Sequence, residues 1–334
     1  MPRVICYAVF LATIIPLPMT PGGTAAAKER ALEDLRPPDV YEHVKRVKWE
    51  LEYLRAHMGR SEDRSSELPV SDAEPREVFF QALTLFRKAD RLCFEQVGTR
   101  GREPVPPKGM IRPGHVHRAV DAALRRILDV KKQLKLTREH PKTTPDPSKT
   151  PSDVFRSIVQ ANRQLNLMLE RRVAPSDVFK QVTVAIAYAE RLIEQFPQET
   201  STVPNAPAYE PNKIPADVYR RLLGSFKTLQ KITTRSGRKV LELGELDDAA
   251  IARVAPSDVY DIASLVVSEL AYLHAGLPDA QPPRKVYDPG RKFPSDVFQR
   301  VGILEQQLAR LASLVDQNPH WLKTGAQRSS PGLR

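Results

Sequence analysis

The chain has 334 residues, 30 of them proline, only two cysteines and a formal net charge of +11. Its length allows one or two sizeable cores, and two cysteines exclude a disulfide-stapled scaffold. In a cytosolic protein the positive balance would raise the question of nucleic acid. Outside the cytoplasm it points to anionic surfaces or to a solvated, soluble exterior.

The N-terminus reads as an export signal. Arg3 is followed by an apolar run from Val4 to Met19, broken by Pro16 and Pro18, then by a polar stretch and Ala25-Ala26-Ala27. This A-x-A pattern predicts a signal peptide over 1–27 with cleavage near Lys28, so the mature protein is expected to be exported, either periplasmic or secreted. No later segment approaches the roughly 20 apolar residues of a membrane span. Cys6 lies at the start of the apolar run, a poor place for lipid attachment. Removal of the signal leaves Cys93, which can form no internal disulfide. Its neighbours Leu92 and Phe94 predict a buried, inert thiol.

A five-residue phrase, Pro-x-acidic-Val-aromatic in full form, then recurs eight times. The copies begin at Pro37, Pro75, Pro113, Pro151, Pro175, Pro215, Pro256 and Pro294, giving steps of 38, 38, 38, 24, 40, 41 and 38 residues. A period in this range marks a repeated supersecondary unit. Apolar residues follow each copy at steps of four and three, as in Val40, Val44, Val47, Leu51 and Leu54, or Val297, Val301, Leu304, Leu308 and Leu311. That spacing predicts one stripe of an α-helix, with the phrase valine as its first member.

The rest of the phrase has the chemistry of a helix start. Proline suits the first turn because its missing N–H would lack an intrahelical partner. The acids Asp39, Glu77, Asp153, Asp177, Asp217, Asp258 and Asp296 can accept a free backbone N–H and favour the positive end of the dipole. The rings Tyr41, Phe79, Phe155, Phe179, Tyr219, Tyr260 and Phe298 are expected to staple the start against an incoming loop or a neighbouring helix. The third copy has His115 for the acid and His117 for the ring, and is expected to be the weakest start.

The predicted helices run over 38–58, 75–97, 113–136, 151–172, 175–196, 215–233, 256–275 and 294–317, with a short extra helix between Gly244 and Val254. Most links are long and proline-rich; the fourth is only Arg172-Val173-Ala174, which requires its two helices to be antiparallel or sharply bent. Copies four apart are offset by 138 to 143 residues. The expected fold is therefore all-α, with a first four-helix unit over 28–173, a second over 174–318 and a flexible tail over 319–334 in which Trp321 can dock. One continuous helical array is the alternative. The long links reach far enough to run back along a helix, so consecutive helices can be parallel or antiparallel.

Motifs of chemistry are scarce. No haem attachment, nucleophile elbow, phosphate loop or zinc-protease motif is present. Of the histidines only His115 and His117 are close, and a spacing of two puts them on different helix faces. No catalytic, cofactor-binding or metal-binding residue is assigned. The basic face around Arg125, Arg126, Lys131, Lys132 and Lys135 reads as a solvated helix surface.

The leading expectation is an exported, non-enzymatic helical-repeat protein, a binding or scaffold component of the cell envelope. Its partner would be another envelope protein or an anionic envelope surface, not nucleic acid; the sequence leaves the oligomeric state open. The alternative is a sensor or carrier with a small molecule inside one four-helix unit, for which Asn162, Gln164, Tyr188 and Tyr272 are candidates.

Overall fold

The computed structural model describes residues 34–62, 67–107, 109–141, 143–170, 172–196, 203–244, 246–277, 281–318 and 320–322. The signal assigned to 1–27 and the tail beyond 322 lie outside the described residues. The fold is all-α. The helices are α1 (Pro37–His57), α2 (Pro75–Val97), α3 (Pro113–Gln133), α4 (Pro151–Met168), α5 (Pro175–Ile193), α6 (Pro215–Arg235), α7 (Asp248–Ala252), α8 (Pro256–Ala275) and α9 (Pro294–Gln317). Two short strands, β1 (Val70–Ser71) and β2 (Glu242–Leu243), pair antiparallel.

Each of the eight phrases opens a helix at its proline. The acid at the third helical position accepts the backbone N–H of the preceding cap residue, as Asp39 does from Arg36 at 2.8 Å and Asp217 from Ile214 at 3.0 Å. At Thr150 the cap is reciprocal, because its hydroxyl also accepts the Asp153 N–H. In the third copy His115 Nδ1 accepts the Arg112 N–H at 2.9 Å. That start keeps the bond but lacks the negative charge facing the dipole.

Some helices end earlier than their periodicity suggests. Helix α3 stops at Gln133 because Lys135 turns into the left-handed region at φ 56° and the Leu136 N–H closes onto the Lys131 carbonyl. Helix α4 stops at Met168, where Leu169 becomes extended and Glu170 N–H bonds to Glu95 at 3.0 Å. Helix α2 ends on Gly98, whose φ of 80° suits glycine.

In the first unit α1 packs on α3 and α4, and α2 packs on the same two, so the ring order is α1–α3–α2–α4. In the second, α5 and α6 each pack on α8 and α9, giving α5–α8–α6–α9. The connectivity is the same in both rings. The prolines and valines of the first four phrases meet around one small hollow, and those of the last four around another. All four helix starts of a unit therefore share one end, and the four helices of each ring are parallel.

Parallel packing is possible because the links return along the outside. Between α3 and α4, Arg138 lies over Trp49 and Tyr53 in the later part of α1, then Thr143 bonds to Glu42 and Lys149 lies over Tyr41 near its start. Two other links also touch helices from outside: the carbonyl of Pro207 accepts from Gln299 on α9, and the carbonyl of Pro282 accepts from Arg191 on α5.

Each ring is filled with apolar side chains. Val44, Val47, Leu51 and Leu54 in the first, and Val301, Leu304, Leu308 and Leu311 in the second, have no exposed surface. Each such side chain contributes about 1.5–3 kcal/mol relative to exposure.

The two units meet through α2 and α8, with α4 also touching α8. Arg76 at the start of α2 reaches Glu269 late in α8, whereas Lys88 further along α2 reaches Asp261 early in α8. These helices are antiparallel, one of the two arrangements that the short α4–α5 link allows for the units it joins. The β1–β2 ladder joins the units a second time, pairing Val70 with Leu243 and Ser71 with Glu242.

Candidate functional site

The phrase residues are built into the helix starts rather than gathered into a site. Phe79, Phe155 and Tyr219 are buried, and burial pushes the Tyr219 phenol up to about 12. Tyr41, Phe179, Tyr260 and Phe298 are half-buried against the core. Lysines of the incoming links cover three of these four: Lys149 lies over Tyr41, Lys292 over Phe179 and Lys213 over Phe298. Lys88 of α2 reaches the fourth, Tyr260. The phrase serines take part as well. Ser152, Ser176 and Ser295 accept the backbone N–H of Ala73, Lys292 and Lys213 respectively, at 2.9–3.1 Å. In each case the donor lies one residue before the next cap, so one helix start positions the start of its ring neighbour.

A groove of about 880 Å³ runs between α1, α3 and the link after α3, walled by Asp39, Glu42, His43, Arg46, Glu50, His117, Lys131, Lys132 and Glu139 among others. His43 stacks on His117 with ring centroids 4.2 Å apart, and its Nε2 lies 3.5 Å from Asp121. Burial, aided by the adjacent His117, lowers His43 to about 4, and burial lowers His117 too. Both rings are therefore neutral at neutral pH. Deeper in the groove, buried Glu50 accepts from Lys131 at 2.8 Å, and Lys131 also faces the rings of Trp49 and Tyr53. Among the described residues no three His, Cys, Asp or Glu side chains are placed to hold a metal ion.

The His43–His117 pair was not visible as a motif because its members are 74 positions apart. Aligning the phrases puts both near the same level of two helices, and that level is the signal that could have found them. The basic face of α3 is largely ion-paired: Arg125 with Asp121, Arg126 with Asp90 and Asp129, Lys131 with Glu50.

The second concentration of polar groups lies on the seam between the units. Glu77, Gln81, Thr84 and Lys88 occur on α2 at steps of four, three and four, a spacing that reads as a solvated face, yet all are buried. Opposite them α8 presents Asp261, Ser264, Ser268, Glu269 and Tyr272. Lys88 donates to Asp261 at 3.1 Å, and Arg163 of α4 lies 3.5 Å from Asp258. A cleft of about 530 Å³ opens on the same seam, lined by Arg87, Lys180, Tyr188, Tyr260, Ser264 and Ser268 among others.

The four residues considered for a ligand inside a unit are dispersed. Asn162 is fully buried and donates to the Gln81 carbonyl at 3.5 Å. Gln164 reaches Glu52 on the outer side. Tyr188 meets His274 edge-on beside the cleft, and both Arg76 and Arg238 lie over the ring of Tyr272. Cys93 is buried, and burial pushes its thiol up. Comparison with protein-family profiles, curated proteins and solved structures finds no match to this chain.

Proposed function

We propose that the protein is an exported, non-enzymatic scaffold or binding component of the cell envelope, and that it engages its partner through the grooves between its helices and returning links. The partner class is another envelope protein or an anionic envelope surface. One observation carries this reading. The hollows at the phrase ends of the two rings measure about 10 Å³ each, whereas the concavities of about 880 and 530 Å³ lie outside the rings. A drug-sized ligand needs roughly 300 Å³ or more, so neither end hollow could hold one, and the fully buried apolar stripes weigh against a small molecule carried inside one unit. The runner-up is a sensor or carrier that uses the inter-unit cleft instead.

A photo-crosslinking residue placed at exposed Lys132, beside the larger groove, tests the scaffold reading in the native host. The same residue at exposed Lys231 of α6 is the control. One envelope component captured from position 132 and not from 231 supports the proposal. An uncleaved chain retained in the cytoplasm, or equal labelling from both positions, contradicts it.

A further inference from the structure

Two buried carboxyl groups from different units face one guanidinium. Glu77 of α2 and Glu269 of α8 have 0 % and 1 % of their surface exposed. Glu77 is well supplied with donors: Oε2 accepts the Glu74 backbone N–H at 2.9 Å and Oε1 accepts Arg76 Nη2 at 2.7 Å. Glu269 is not. Its Oε2 lies 3.5 Å from the same Nη2, too long for a well-formed bond, and has no other donor among the described residues. Arg76 is further committed to Glu74, to the Lys239 carbonyl and to the face of Tyr272.

The other charges nearby are already matched or turned elsewhere. Arg238 lies over the Tyr272 ring, Lys88 pairs with Asp261 and Arg163 faces Asp258. Two carboxylates buried in the seam with one shared cation cannot both ionise without strong repulsion. A proton on Glu269 removes that repulsion and turns its unpartnered oxygen from an acceptor without a donor into a donor to Glu77.

We propose that Glu269 stays protonated at neutral pH as a hydrogen-bond donor to Glu77, and that this shared proton makes the docking of the two four-helix units dependent on pH. Burial first, and Glu77 second, hold Glu269 well above the usual carboxylate range. Burial raises Glu77 as well. The sign follows from a folded value above the ordinary 4.5. The contribution to docking is complete below that ordinary value and is lost as pH rises through the folded one. Alkaline conditions leave two anions on one arginine and push α2 and α8 apart.

The test uses the full chain. Carbon-13 NMR of the glutamate side-chain carboxyls follows Glu269 through a pH titration, with its signal assigned by Glu269→Gln. Spin labels at exposed Arg125 and Lys231, one in each unit, report the inter-unit distance over the same range. A Glu269 carboxyl still protonated at neutral pH is expected, with the distance distribution broadening as it ionises. Glu269→Gln, which keeps a donor and cannot ionise, is expected to abolish the broadening. A carboxyl that titrates in the ordinary range, or the same broadening in the variant, overturns the proposal. Should the variant fail to fold, the wild-type titration alone decides.

Discussion

Ser295 Oγ, the second residue of the phrase that opens α9, accepts the backbone N–H of Lys213, one residue before the cap of α6, at 3.0 Å. The Lys213 ammonium then lies 4.4 Å from the centroid of Phe298 in the same phrase. The phrase therefore does two jobs: it starts its own helix and fixes where the neighbouring one begins. Ser295→Ala is expected to cost about 1 kcal/mol, the net value of one hydrogen bond. It should also speed amide exchange at Lys213. A urea midpoint with unchanged slope and the exchange rate of that amide check both.

The helix-start acids carry the second expectation. Asp177→Ala removes the bond to the Ala174 N–H and should cost about 1 kcal/mol. Asp258→Ala loses the equivalent bond and also the approach of Arg163 across the seam, so it should cost more than a cap bond alone. His115→Asp is expected to stabilise by about 0.5 kcal/mol, since it keeps an acceptor for Arg112 N–H and adds the missing charge. Thermal and urea unfolding of the three variants give the order.

The buried pair on the seam separates two energetic effects. Lys88→Met leaves Asp261 buried without its cation and is expected to cost about 3–5 kcal/mol. Adding Asp261→Leu should recover most of that loss, because the pair's place in the seam then holds no uncompensated buried charge. A double-mutant cycle measures the recovery.

The stacked histidines give a pH dependence of opposite sign to that of Glu269. Burial lowers His43 from 6.5 to about 4, so the folded state binds fewer protons than the unfolded state within that window. Stability is complete above about 6.5 and falls as pH falls towards 4, by about 2 kcal/mol at pH 5. His43→Gln should flatten this decline, seen in urea midpoints between pH 7 and 5.

Much of the fold was legible because the phrase is local chemistry. Proline, acid and valine at fixed offsets decide where a helix begins, and the boundaries Pro75–Val97, Pro256–Ala275 and Pro294–Gln317 follow from them. Helix direction was not legible, because a proline-rich link long enough to return along a helix is also long enough for a loose turn. It is decided by contacts such as Arg138 over Tyr53 and Lys149 over Tyr41, which pair residues about a hundred positions apart. The seam was hidden for a different reason. Glu77, Gln81, Thr84 and Lys88 have the spacing of a solvated face, and only the second unit turns that face inward. The phrase acids and rings were readable as structure, whereas the groove histidines come together only when α1 and α3 are adjacent.

Distances between spin labels at Arg36, His57 and Phe94, in a Cys93→Ser background, test the parallel arrangement most directly. Helix α1 is about 31 Å long at 1.5 Å per residue. Parallel helices put His57 and Phe94 at one end and Arg36 at the other, so the 57–94 distance should be shorter than the 36–94 distance by on the order of 20 Å. The reverse order would mean that α1 and α2 run up and down, and would contradict the convergence of the four helix starts.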